Sequence, residues 1–331
     1  MFKWTFFLVI FFSFTLQSIY SQDKQILKLG TLATEGSDWG LILQKMNAEL
    51  IQKSEDKLQF KFFFGRDEAD LIELIKNQQL DAASLTSVGL GQFLPEIYLL
   101  YLPMLFSSEK ELDYVRNKLT SFYVEKLEER GFNLLGWGDY GAIYLFSKMP
   151  IRTQTDLQNT KFWIWTIDPI GQAFASASGN EPILLSIENV LPSLARGEIE
   201  TVFISPLACI VYQWNNHVKF MTDLPLVMGI GASIINKEHF DRLSKSDRNL
   251  LQKITMKYHN QLVEKIRQSN QESLRILQDQ GIQIISVPQQ EELKWQQLAE
   301  KVQNQLAGKF FDKELLDRAR AFLTEFSKSK Q

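Results

Sequence analysis

One cysteine in 331 residues excludes an internal disulfide. That residue, Cys209, lies in the apolar run Leu207-Ala208-Cys209-Ile210-Val211 and reads as a small buried hydrophobe rather than a reactive thiol. Histidine is almost as scarce. His217, His239 and His259 are far apart and fall on segments that read as helix or loop surface. None forms a His-Glu-x-x-His pair and there is no cysteine pair, so the common zinc arrangements are missing. Gly89-Leu90-Gly91 and Gly229-Ile230-Gly231 lack the third glycine and the strand-to-helix setting of a dinucleotide site. No Gly-x-Ser-x-Gly elbow occurs. An enzyme, a metal site and a cofactor are therefore not expected.

Long apolar runs are also missing, with one exception. Lys3 is followed by an apolar stretch from Trp4 to Leu16 and a small, polar segment from Gln17 to Ser21. One positive charge, a short greasy centre and a small residue describe a secretory signal peptide over residues 1–21, cut after Ser21. The run is shorter than the roughly 20 apolar residues of a membrane span, and an uncleaved anchor is the alternative. Without this segment the chain has 35 basic against 39 acidic residues. Such mild acidity, with no basic cluster, gives no reason to expect a nucleic-acid partner. The remaining chain of about 310 residues exceeds what one core usually serves, so two domains are expected.

Patterning gives the elements. Ile26 to Leu32 alternates and reads as a first strand, and Ser37 or Asp38 caps a helix with apolar positions at Leu41, Leu43, Met46 and Leu50. A second strand at Leu58–Phe64, a short helix at Leu71–Ile75 and a buried strand at Asp81–Leu85 complete a parallel α/β unit. Pro95 to Phe106 is an apolar, Pro-bounded connector. Ser108 with Glu111 opens a helix that runs towards Arg130, and Phe132–Trp137 is another strand. A second α/β unit follows from about Ile143 to Met228. From Ser244 there is no Gly or Pro until Gly281, and Leu251, Ile254, Tyr258, Leu262, Ile266, Leu274 and Leu277 recur at helical spacing. The pattern predicts a helix over most of 245–280, about 50 Å long, with a break near Gln268-Ser269-Asn270 as the alternative.

Several segments then resemble one family in sequence order. Asp156-Leu157-Gln158-Asn159-Thr160-Lys161-Phe162-Trp163 is similar to the Asp-Leu-Lys-Gly-Leu-Lys-Ile-Arg segment of the solute receptors of tripartite ATP-independent periplasmic (TRAP) transporters. Tyr98 to Phe106, Gly131 to Trp137, Glu188 to Glu200 and the helix after Asn236 to Leu243 also resemble that family's segments. The resemblance implies an α/β, two-lobed periplasmic binding protein fold with a ligand cleft between lobes and a long helix spanning both. It divides the chain into lobe I, residues 22–140 plus about 229–265, and lobe II, residues 141–228 plus about 266–331. It implies a periplasmic receptor for a small-molecule ligand that docks on TRAP membrane subunits. A periplasmic tetratricopeptide-type protein that delivers or receives the ligand is a further partner some relatives have.

The family's carboxylate-pairing arginine would stand at Trp163, and a second cationic position falls at or beside Ile143. A family asparagine falls near Phe203 to Ser205. The resemblance therefore points to an atypical member without the usual cations. Trp and Ile offer contact area but no charge, which suits an apolar or weakly polar ligand rather than a typical organic acid. Candidate ligand-binding residues are Trp39, Ser87, Trp137, Tyr140, Trp163, Trp165 and Phe203. Two alternatives stay open: aromatics that are merely lobe core, and a conventional carboxylate receptor that uses another cation. Arg152 and Arg196 are the nearest candidates for such a cation, and both read as solvated surface charges.

Overall fold

The computed structural model describes residues 24–329, so the expected signal peptide lies outside the described residues. The first unit runs β1 (Gln25–Thr31), α1 (Asp38–Lys53), β2 (Leu58–Phe63), α2 (Glu68–Lys76), β3 (Ala82–Thr86) and α3 (Ser87–Leu90). A 3-10 turn at Pro95–Tyr101 and the helix α4 (Glu109–Glu129) lead into β4 (Phe132–Ser147). The second unit runs α5 (Gln154–Gln158), β5 (Trp163–Trp165), α6 (Pro169–Ala177), β6 (Ile183–Leu185), α7 (Ile187–Arg196), β7 (Thr201–Ile204), α8 (Pro206–Val211) and β8 (Phe220–Thr222). The chain returns through β9 (Val227–Asn236), α9 (Lys237–Arg242) and α10 (Lys245–Asp279), then ends in β10 (Gln283–Ile285), α11 (Gln289–Leu306) and α12 (Lys313–Ser329). Among the described residues no helix is long and apolar enough to cross a membrane.

The strand order is β10-β8-β4-β9-β3-β1-β2, with β7 also on β4. β1 pairs in parallel with β2 and β3, as alternating strand and helix require. The antiparallel pair β4–β9 carries the sheet from one lobe to the other. The first half of β4 and the second half of β9 belong with β3, while Tyr144–Ser147 of β4 pair with β7 and β8. Each lobe is thus an α/β layer, and the two lobes share two long strands.

Those strands are interrupted where they cross. The register slips between Asp139 and Gly141, and Gly141 takes φ +85°, which favours glycine. Opposite it, a Cβ on Gly229 would stand 2.3 Å from the Tyr140 ring, so only glycine fits.

In α1 the Ser37 hydroxyl accepts from the Gly40 N–H, and Leu43, Met46 and Leu50 face the core. Leu41, expected among them, is 45% exposed, because the buried turn there is occupied by Gly40, pressed against the Thr34 carbonyl. α10 is one continuous helix of 35 residues, about 52 Å at 1.5 Å per residue. It does not break at 268–270. There Ser269 donates to Asp38 at 2.7 Å, and Asn270 donates to the Tyr140 carbonyl and accepts from the Leu207 N–H. The apolar stripe weakens at this point because polar residues take over the contacts with α1, β4 and α8.

His259 corrects its surface assignment. It is buried in α10, its ring bonded to the Thr255 carbonyl and to Ser233 of β9, and packed so closely that a Cβ on Gly136 would touch it. Burial pushes its pKa down to about 4. The C-terminal helix α12 lies on α4 through Lys118–Glu325 at 3.0 Å, Tyr114–Phe326 ring contact and Arg318 over Phe122. The tail therefore packs against the helix that leads into β4.

Candidate functional site

Between the lobes lies a cavity of about 240 Å³. Its first wall comes from the β1–α1 loop and from β3: Thr31 to Thr34, Ser37, Asp38, Trp39, Ser84 and Thr86. Loops after parallel strands in open α/β sheets commonly form such crevices. Its second wall comes from β5, the β5–α6 turn, β7 and α8. Tyr140 and Ile143 of β4 and Ile266 of α10 line the crossing between them.

Five of the seven candidate residues meet here: Trp39, Tyr140, Trp163, Trp165 and Phe203. Trp163 is 3% exposed, and its one polar atom, Nε1, donates to the Leu185 carbonyl at 3.0 Å. Its ring packs edge-on against Trp214 at 5.1 Å. It is thus both lobe core and cavity wall, and it presents only hydrocarbon to the interior. Ser87 does not line the cavity. It stands behind it, its hydroxyl 2.9 Å from that of Tyr140. Trp137 is also outside, edge-on to Tyr123 of α4 at 5.8 Å. Trp137 precedes the bulge and Tyr140 stands in it, and the two rings turn to different surroundings.

The charged groups are more telling. Among the described residues no Lys, Arg or His lines the cavity. Arg152 is exposed, and Arg196 is bonded twice to Glu198, at 2.7 and 2.8 Å. Arg267 of α10, which follows the lining residue Ile266, is committed elsewhere. It donates to Asp113 of α4 at 2.6 and 2.9 Å and to Asp139 of β4 at 2.8 Å. Burial alone would drive the Asp139 carboxyl far up. Arg267 and the Gly141 N–H oppose this, and it settles at about 6.

Two carboxylates do reach the lining, Asp38 and Asp168. Asp38 has Ser269 at 2.7 Å and Lys265 at 3.6 Å. Asp168 is 3% exposed and caps α6, its Oδ1 accepting from the N–H groups of Ile170 and Gly171. Its Oδ2 accepts from the hydroxyl of Tyr101 at 3.2 Å. Burial pushes its carboxyl up to about 6. Behind Thr86, the buried Glu68 accepts from the Thr86 backbone N–H and, at 2.6 Å, from its hydroxyl. Burial pushes Glu68 up to about 7.

Tyr101, Asp168 and Tyr212 were not among the candidates. Tyr101 sits in the connector, where its neighbours are all apolar, and Asp168 precedes Pro169 as an ordinary helix cap does. Nothing local marks either one.

Comparison with known proteins agrees with this architecture. The solute receptor structure from Ralstonia eutropha with bound (S)-2-acetolactate superposes with a TM-score of 0.84 at 18% identity, covering 91% of this chain and 99% of that one. An extracytoplasmic solute receptor of Bordetella pertussis binding pyroglutamic acid gives 0.83 at 17% identity, covering 89% and 99%. In sequence, the ectoine/5-hydroxyectoine-binding periplasmic protein UehA of Ruegeria pomeroyi is 22% identical over 239 residues, 68% of this chain and 67% of that protein. The family model for bacterial extracellular solute-binding proteins, family 7 (DctP), matches residues 29–309. On the strength of that match over most of its length, the chain belongs to the DctP family of solute-binding proteins.

Proposed function

We propose that this extracytoplasmic TRAP-type receptor takes a ligand with a mainly apolar body and not a typical organic acid. One observation carries the reading: aromatic and aliphatic side chains dominate the second wall and the crossing of the cavity, and among the described residues no cationic side chain lines it. A carboxylate moved out of water without a partner charge loses several kcal/mol of effective solvation. Trp163, where the resemblance places an arginine, cannot offset that loss, because its only donor is already bonded to Leu185. What the walls supply is area, at about 25 cal/mol for each Å² of apolar surface removed from water.

The crossing of β4 and β9 is suited to hinge motion. A glycine in the left-handed region at Gly141, a bulge, and a glycine opposite at Gly229 concentrate backbone freedom there. Closure of the lobes over the ligand would present the docking form to the TRAP membrane subunits. Export by the leader at 1–21 and a periplasmic location belong to the same proposal.

Native mass spectrometry of the protein purified without refolding tests it. A co-purified lipid, amine or other apolar-bodied compound at one per chain is expected. A stoichiometric sugar acid or keto acid would overturn the reading.

A further inference from the structure

This inference rests on the functional reading above and concerns the polar end of the ligand. Asp168 is buried at the cavity wall, yet no cationic side chain among the described residues pairs with it. Three donors meet it: two backbone N–H groups on Oδ1 and the Tyr101 hydroxyl on Oδ2. An ionised carboxylate offers about four acceptor sites, so Oδ2 keeps capacity for one more donor.

Capping α6 does not require this arrangement. Ser37, Thr153 and Ser205 cap α1, α5 and α8 in the same molecule with neutral hydroxyls, and the comparable aspartate cap, Asp67 of α2, is only half-buried. A neutral cap at 168 would give the same bond without desolvating a charge. Asp38 differs, since Lys265 and Ser269 already compensate it. The surroundings also favour positive charge. Tyr101, Tyr140, Trp163, Trp165 and Tyr212 line the same space, and the electron-rich faces of such rings attract cations.

We infer that Asp168 is the polar anchor of the cavity, that it accepts a hydrogen bond from the ligand, and that an ammonium head group on an apolar body is the preferred form. The same carboxylate repels a ligand carboxylate, so it sets specificity in both directions.

Three probes sharing one body separate the head groups: 2-phenylethylamine, 2-phenylethanol and phenylacetate. They are titrated calorimetrically into the whole exported chain at about pH 7.5, where Asp168 is ionised. The amine is expected to bind at least about tenfold more tightly than the alcohol, with no heat from phenylacetate. Asp168→Asn keeps a capping oxygen and should lower amine affinity about tenfold or more while changing alcohol affinity less than about threefold. Tyr101→Phe removes one donor from Oδ2 and should widen the amine-to-alcohol ratio, which a purely capping role would leave unmoved; it also serves if Asp168→Asn fails to fold. No amine binding, or equal amine and alcohol binding unaffected by both variants, overturns the anchor and leaves the apolar-bodied reading standing. Phenylacetate binding tightest of the three overturns both.

Discussion

Trp163 shows how one position can be readable in sequence and still need its surroundings. The order of family-like segments located it, and the structure places it at the cavity wall with its indole N–H used up by Leu185. Trp163→Arg should expel the apolar co-purified ligand and cost about 3–5 kcal/mol in chemical denaturation, through lost packing and a buried unpaired charge. Unchanged co-purification would remove Trp163 from the site. Trp137 was chosen for its type, and its ring packs on Tyr123 of α4 instead. Asp168 and Tyr101 could not have been paired in advance: 67 residues separate them, and the bond exists only because the connector and the α6 cap meet across the cleft.

At the scale of elements, periodic patterns were the most legible. Apolar spacing marked α10, and the capping serines at 37, 108 and 244 all accept bonds from their helices. The extent of β4 was not legible. Its reading as a strand stopped at Trp137, whereas it runs to Ser147 through a bulge that breaks the alternation. The polar gap in α10 looked like a break and is a junction. Asn270 bonds there to a strand carbonyl and to the first turn of α8, so Asn270→Ala leaves a half-buried carbonyl and an N–H each short of a partner. The expected loss is about 1–3 kcal/mol, read as a lower urea midpoint with unchanged slope. A midpoint within error of the parent would mean that water replaces both bonds.

Over the whole molecule, buried titrating groups set the pH dependence. Glu68, Asp139 and Asp168 hold their protons to about 7, 6 and 6 in the fold, above ordinary carboxylates. The stability this brings is full below about pH 4 and is lost as pH rises through those values. His259 opposes it: with its pKa lowered to about 4, the fold loses stability as pH falls from about 6.5 towards 4. Above about pH 6.5 Glu68 is the main remaining contributor, so stability should fall by on the order of 1 kcal/mol between pH 6.5 and 7.5. Thermal melts of Glu68→Gln should lack most of that fall, and an unaltered slope would reassign it. None of this was visible from composition, since burial of these acids depends on which segments stack over them. The two-lobed plan, by contrast, followed from the order of elements and the family resemblance. The single thiol of Cys209 has a practical bearing on all of it. Fully enclosed, with its pKa pushed up by burial, it is a poor nucleophile and leaves a silent background for labelling. Paired spin labels on cysteines introduced at the exposed Leu41 of α1 and Leu184 of β6 would then be the only reporters, turning the opening between the lobes into a measurable distance in the unmodified fold.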